Sequence, residues 1–220
     1  MIVQTILIIW ITFFTGYFQG SIFISYPWGL LKGIDITKDG TGQLGGSNAG
    51  RLLGWYVMPI TGFFDLLKSY FFLVILDFIF NNSLQDIQQF DKQLGLIAGS
   101  IGLILGHDYS IYTRIYSHEW HGGKGTAVFA GILLFISWQG FLIDIVFLFF
   151  LLLAIKKILK TKLTIYDNFY TNAVQLFLSP FIIYFFVPES WIFTWLCILL
   201  FILLFNERKK VIEIIIQRFK

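Results

Sequence analysis

The chain has 220 residues, of which 57 % are hydrophobic, 20 % aromatic and 13 % charged. A charged fraction about half the usual ~25 % argues against a soluble domain, the apolar content excludes disorder, and a single cysteine, Cys197, excludes a disulfide-stapled secreted module. The net charge of +3 is too small to indicate a nucleic-acid partner, so the placement of the positive charges carries more information than their number.

A helix needs about 20 mostly apolar residues to cross a bilayer. Residues 2–23 qualify; they lack the positive leader of a signal peptide, and their lysines follow them, so they read as a retained span. The next candidates are residues 55–80, 94–105, 126–138, 141–155, 171–187 and 191–205. Several are shorter than a bilayer, and their ends must extend into the loops or meet a thinned membrane.

Charge fixes the count and the direction. The Lys-rich loop 156–162 and the basic tail 208–220 both belong on the cytoplasmic side by the positive-inside rule. So do the loop with Lys32, Lys38 and Arg51 and the loop with Arg114 and Lys124. This requires a turn near Gln139-Gly140 and another at Pro188-Glu189-Ser190. The predicted fold is all-α: one polytopic membrane domain, residues 1–220, with about seven spans, the N-terminus outside and the C-terminus inside. The inside loops then hold 14 of the 16 Lys and Arg residues, with Lys92 outside and Lys68 in a span. The acidic and amide-rich loop 81–93 is external.

The first cytoplasmic loop is rich in glycine. Six of the 15 residues from 40 to 54 are glycine, among them Gly40, Gly42, Gly45 and Gly46. Glycine lets backbone N–H groups approach a ligand closely, and consecutive N–H groups in such turns form a concave anion site. Thr41, Gln43, Ser47 and Asn48 add neutral donors, and Arg51 adds a planar charged fork suited to phosphate. A flexible linker is the plain alternative, but linkers seldom place amides, hydroxyls and one Arg among their glycines. Gly40, Gly42 and Gly45 also spell the dinucleotide-binding pattern G-x-G-x-x-G. That pattern requires a strand before it and a soluble βαβ unit around it, so the match reads as accidental.

The second loop carries Gly106-His107-Asp108, Arg114 and His118-Glu119-Trp120-His121-Gly122-Gly123-Lys124-Gly125. Here Lys124 sits among Gly122, Gly123 and Gly125 just before a helix predicted from Thr126. The N-terminus of a helix attracts anions through its free N–H groups, and a lysine beside it makes a second phosphate site. All three histidines share this loop, but their spacing does not match a zinc motif. No metal and no cofactor are predicted, and His107 is the histidine expected to take a site role.

Within the spans, Asp65 and Lys68 are three residues apart on one helix face and can pair. The pair either supports the cytoplasmic site or only holds helices together. Asp77 and Asp144 are expected near the external ends, solvated. Gly95-x3-Gly99 and Gly102-x3-Gly106 form a small-residue face for close helix packing.

Two anion cradles on one face of a helical membrane protein point to phosphate-bearing substrates, and the apolar spans offer a lateral site for an acyl chain. Transfer from a lipid-like donor to a phosphorylated acceptor fits both features. Phosphate transport also fits, although transporters more often show inverted repeats with broken helices at the midplane.

Gly20-Ser21-Ile22, Gly33-Ile34-Asp35-Ile36 and the run Gly40 to Gly54 resemble the first motif of the bacterial acyl-phosphate-dependent glycerol-3-phosphate acyltransferases. Asp65-Leu66-Leu67-Lys68 resembles that family's D-x-x-K. Gly106-His107 and Trp120-His121-Gly122-Gly123-Lys124-Gly125 resemble its second motif. The resemblance implies a seven-span protein of the bacterial inner membrane with a cytoplasmic site. It implies transfer of the acyl group of an acyl phosphate to the 1-hydroxyl of glycerol 3-phosphate, giving lysophosphatidic acid and phosphate. Thr41 then stands for a functional Ser, Arg51 for the family's Arg, and Lys124 for the lysine of the phosphate loop. The glycines and polar residues of both loops, with Lys68, would bind substrate; the partners would be acyl phosphate, glycerol 3-phosphate and membrane lipids. Whether a side chain or the substrate's own phosphate takes the hydroxyl proton is left open.

The departures are specific. Thr41 and Ser47 keep a hydroxyl, and Gln43 keeps an amide, where the family has Ser, Thr and Asn. Phe23 replaces a Pro, Thr37 an Arg and His121 a Lys. The family's C-terminal motif is poorly preserved; Glu207-Arg208-Lys209-Lys210-Val211 is the nearest stretch. That divergence keeps a second reading open, a non-catalytic or transport relative that binds a phosphorylated small molecule.

Overall fold

The computed structural model describes residues 2–84, 87–159 and 169–206. The 156–162 loop lies partly, and the Glu207–Val211 stretch and basic tail wholly, outside the described residues. Ten helices occur among the described residues: α1 (Ile2–Gly20), α2 (Ser25–Leu31), α3 (Gly46–Leu53), α4 (Val57–Asn82), α5 (Gln89–Asp108), α6 (Ile111–Ser117), α7 (Thr126–Ile136), α8 (Trp138–Leu159), α9 (Phe169–Phe186) and α10 (Ser190–Asn206). Seven of them, α1, α4, α5, α7, α8, α9 and α10, coincide with the predicted spans. The other three, α2, α3 and α6, are short and lie in the loops. No strand occurs among the described residues, so the G-x-G-x-x-G match lacks the context a dinucleotide site needs.

The chain divides into two compact units, Met1–Ile136 and Ser137–Lys220. In the first unit α1 packs along α5, and α4 packs on α5, α7 and the short α3. The α1–α5 contact is backbone against backbone. A Cβ added to Gly102 would meet Tyr17 N at 2.9 Å, and one added to Gly20 would meet Leu103 C at 2.8 Å. The small-residue face predicted on α5 therefore has a partner on α1, Gly16-x3-Gly20. Gly99 serves both neighbours, since its backbone meets Gly16 of α1 while its open side faces Phe72 and Leu76 of α4, and Gly95 faces Phe80 of α4 and Ile8 of α1. The outer face of α1 exposes Ile6, Leu7, Trp10, Ile11, Phe14 and Phe18. An unbroken apolar stripe of this size suits lipid and not water.

In the second unit α9 packs against both α8 and α10. The break before α8 falls at Ser137 and not at Gln139-Gly140. Ser137 Oγ accepts a hydrogen bond from Gly140 N at 3.1 Å, the geometry of an N-cap. The glycine that looked like a turn is thus the third residue of the helix. Asp144 also departs from expectation. It is 1 % exposed, and Ser179 Oγ donates to its Oδ1 at 2.9 Å. A buried carboxylate requires such a partner, and here it ties α8 to α9. Asp77 is partly exposed on α4.

Candidate active site

The base of the site is a polar cluster buried between α1, α4 and α5. Lys68 Nζ lies 2.7 Å from Asp65 Oδ1, with both side chains under 5 % exposed. The ammonium also donates to the carbonyls of Gly20 at 3.0 Å and Ile22 at 2.7 Å, where α1 has just ended. A helix C-terminus leaves such carbonyls unpaired and attracts cations. On the α5 side, Lys68 Nζ is 3.2 Å from His107 Nδ1. The Phe23 ring packs on the imidazole with centroids 4.5 Å apart. The Asp65–Lys68 pair therefore both joins helices and supports the residue ahead of the second glycine loop.

The first glycine loop is a tight, internally bonded structure. It opens with a turn in which Asp35 Oδ1 accepts from Thr37 Oγ1 at 2.6 Å and Thr37 N at 3.1 Å. The Thr37 hydroxyl, aided by Lys38, holds the Asp35 carboxyl below its ordinary range. Gly42 then takes φ +68°, which a side chain would disfavour. Asn48, 1 % exposed, staples the loop from inside. Its Oδ1 accepts from Thr41 N at 2.9 Å, and its Nδ2 serves the carbonyls of Gln43 at 3.0 Å, Asp39 at 3.1 Å and Ile36 at 3.3 Å. The part of this loop from Gly46 to Leu53 is helical, a departure from the loop expected there. Helix α3 thus starts inside the glycine run; Asn48 N and Ala49 N both donate to Gly45 O at 3.2 Å, and the N–H groups ahead of them fall outside the helix's own ladder. Buried Ile36, Leu44, Ala49 and Leu53 anchor it.

The second loop begins within α5, because Gly106 and His107 form that helix's last turn. After α6 the chain returns under Thr113, whose Oγ1 donates to His121 O at 2.9 Å and accepts from His121 N at 3.2 Å. Gly123 N donates to His107 O at 2.8 Å. Gly122, Gly123, Lys124 and Gly125 then lead into α7.

Three contacts bring the two loops together. Leu44 N donates to Gly122 O at 2.8 Å. His121 Nδ1 donates to Gly42 O at 3.1 Å, since a carbonyl can only accept. A Cβ on Gly45 would lie 3.5 Å from Gly123 Cα, so these two glycines face each other. The starts of α3 and α7 therefore flank one glycine-lined strip. Such an arrangement concentrates free N–H groups and positive helix ends, which suits an oxyanion.

The predicted residues sort by depth. Gly40 and Thr41 lie exposed on the rim, Gln43 and Ser47 are half-buried, and Arg51 is exposed on the last turn of α3. Lys124 is half-buried between Gly123 and Gly125. Asn48, Lys68 and His107 lie below the strip, and their hydrogen bonds run to protein groups. His118 is apart from it, exposed at the end of α6 with φ +60°. Among the described residues no group of three His, Cys, Asp or Glu could hold a metal ion.

Several hydroxyls essential to this geometry went unassigned in the sequence. Ser110 Oγ donates to Ser21 O at 2.9 Å, Ser21 Oγ to Tyr17 O at 2.8 Å and Ser25 Oγ to Leu44 O at 2.5 Å. Of the three, Ser21 alone sits beside a glycine, Gly20, and carried a local hint of a role. A cavity of about 610 Å³ adjoins the strip, lined by Phe23, Tyr26, Leu30, Leu44, Tyr112 and Tyr116. Leu44 is shared, since its backbone holds Gly122 while its residue lines the cavity.

The profile of the glycerol-3-phosphate acyltransferase family matches residues 10–217. The chain belongs to the glycerol-3-phosphate acyltransferase family. Its relatives include a glycerol-3-phosphate acyltransferase of Thermosipho melanesiensis, 36 % identical over 137 residues, or 62 % of this chain and 60 % of that one. Another, from Oceanobacillus iheyensis, is 30 % identical over 169 residues, 76 % of this chain and 78 % of that one. A third, from Thermotoga maritima, is 38 % identical over 132 residues, 59 % of each chain. The chain thus spans about 60 % of the length of the first of these relatives. The crystal structure of PlsY, an integral membrane glycerol 3-phosphate acyltransferase, in its glycerol 3-phosphate form superposes with TM-score 0.71 at 18 % identity, covering 96 % of this chain and 93 % of that one. Its lysophosphatidic acid form gives TM-score 0.70. At this identity the likeness establishes the fold, an all-helical integral membrane one.

Proposed function

We propose that the chain transfers the acyl group of an acyl phosphate to the 1-hydroxyl of glycerol 3-phosphate, as the first acylation of phospholipid synthesis. The hydroxyl oxygen forms the new ester bond to the acyl carbon, the bond from that carbon to the phosphate oxygen breaks, and the hydroxyl proton ends on the released phosphate, so hydrogen phosphate and lysophosphatidic acid are the two products. In this reading residues 1–220 act as one acyltransferase domain of the bacterial inner membrane, with the site on the cytoplasmic side. The positive-inside distribution of Lys and Arg supports that side.

The observation that carries the reading is the clasp of the two glycine loops beside an apolar cavity. The strip offers N–H groups and two helix N-termini to phosphate, with Lys124 in one loop and Arg51 on the helix that the other starts. The cavity offers the acyl chain a place that ends at Leu44, one residue from Gly45 of the strip. An acyl phosphate already has a good leaving group, so positioning and charge stabilisation are what the protein must add. The glycerol-3-phosphate acyltransferase names of the relatives agree with this acceptor.

The test is direct. Purified protein in detergent receives palmitoyl phosphate and glycerol 3-phosphate, and phosphate and lysophosphatidic acid are followed together, with palmitoyl-CoA as control donor. Equal appearance of both products with the acyl phosphate alone is expected. Folded protein that makes neither product would overturn the reading in favour of a binding or transport relative.

A further inference from the structure

We propose that Lys68 is a positioning residue. It holds His107 as the neutral Nε2–H tautomer, so that a buried imidazole presents an N–H donor to the phosphate strip at Gly123. This rests on the acyltransferase reading for the identity of the phosphate, but the geometry is independent of it.

The argument is one of donors and acceptors. An ammonium has three hydrogens and nothing to accept with. Around Lys68 Nζ stand Asp65 Oδ1 at 2.7 Å, Ile22 O at 2.7 Å, Gly20 O at 3.0 Å and His107 Nδ1 at 3.2 Å. The three oxygens only accept. A proton on Nδ1 would point at the ammonium hydrogens. Its one other candidate acceptor, Asp65 Oδ1, is 3.7 Å away and beyond hydrogen-bond reach. Nδ1 is therefore bare, and the ring proton sits on Nε2.

The other edge of the ring meets the strip. A Cβ on Gly123 would collide with His107 Nε2 and would meet Cδ2 at 2.8 Å and Cε1 at 2.9 Å. Gly123 is thus a glycine because the imidazole fills the space of its side chain. His107 is 2 % exposed, so little but the strip itself can reach its Nε2 edge. An oxyanion bound at the strip beside Gly123 would give that N–H a charged acceptor, the stronger kind of hydrogen bond. The Phe23 ring and the Gly123 N to His107 O bond hold the imidazole in place.

The experiment reads the tautomer first. Protein labelled with ¹⁵N-histidine is studied by NMR, with the His107 signals assigned by their loss in His107→Gln. The expected spectrum shows a protonated Nε2 and a bare Nδ1, and Lys68→Met erases that preference. The double variant Asp65→Asn/Lys68→Met removes both charges together and serves if the single variant does not fold. Binding is read next, with glycerol 3-phosphate and palmitoyl phosphate titrated separately, so the affected ligand identifies whose phosphate sits there. His107→Gln places an amide N–H near the Nε2 position and is expected to retain affinity within about threefold. His107→Asn places it near Nδ1 and should weaken binding about tenfold or more, the effect of one hydrogen bond to a charged group. A protonated Nδ1 in the wild type, or equal affinities in the Gln and Asn variants, would overturn the proposal. Wild-type protein that binds phosphate with the expected tautomer but makes no product would overturn the acyltransferase reading and leave this assignment standing.

Discussion

At the scale of single residues, the first glycine loop depends on side chains that face inward. Asn48 uses its oxygen as an acceptor and its two amide hydrogens across three carbonyls, all within the loop. Asn48→Ala leaves those groups without partners and should cost on the order of 3 kcal/mol. Asn48→Asp should be worse, because it turns a donor into an acceptor facing three carbonyls. Thermal unfolding in detergent ranks wild type, Ala and Asp in that order; an Asp variant more stable than Ala would refute the staple. Asp35 gives a pH test. Its carboxyl is held low chiefly by the Thr37 hydroxyl, so the folded chain favours the charged form. That contribution is present above the ordinary carboxylate range, and it is lost as pH falls through the lowered folded value. Thr37→Val should therefore destabilise the protein near neutral pH, with the difference from wild type shrinking once pH falls below about 4. Paired unfolding curves across pH 3 to 7 measure it.

At the scale of elements, glycines decide how close two helices come. Gly102 meets the α1 backbone near Phe13 and Tyr17, with no flexible side chain between to give way. Gly102→Ala must push α1 and α5 apart and should cost about 2 kcal/mol or more. It should also lower turnover, because that separation moves the Gly20 and Ile22 carbonyls away from Lys68. Gly62 on α4 is the control, since a Cβ there meets nothing within 4 Å. Gly62→Ala should be neutral or up to about 1 kcal/mol stabilising through helix propensity. A lowered unfolding midpoint for Gly102→Ala and an unchanged or raised one for Gly62→Ala are the expected result.

At the scale of the whole molecule, the proposed function depends on two loops that are far apart in sequence. The Leu44–Gly122 hydrogen bond and the Gly45–Gly123 approach join them into one strip. Arg51→Ala and Lys124→Ala should each reduce turnover by at least about a hundredfold while leaving the unfolding midpoint near that of wild type. Near-wild-type rates in both would remove the two cations from the reaction.

Hydrophobic length and the placement of Lys and Arg by themselves determined the all-helical membrane fold and all seven long helices, because apolar runs of that length have one stable form in lipid. Composition also singled out the two loops proposed to hold phosphate, since glycine crowds there together with hydroxyl, amide and basic residues. Tertiary structure decided what each residue in those loops does. Asn48, Lys68 and His107 read as site residues in the sequence; folding places them beneath the strip, where Asn48 bonds within its own loop and Lys68 meets the end of α1 and the His107 Nδ1 of α5. The same holds for Asp144, whose partner Ser179 lies 35 residues away. Local signals existed for Ser137 as a helix cap and for Gly16-x3-Gly20 as the face that receives α5. Which cap forms and which faces meet depended on packing, because a small residue means close approach only when a second backbone is there to approach.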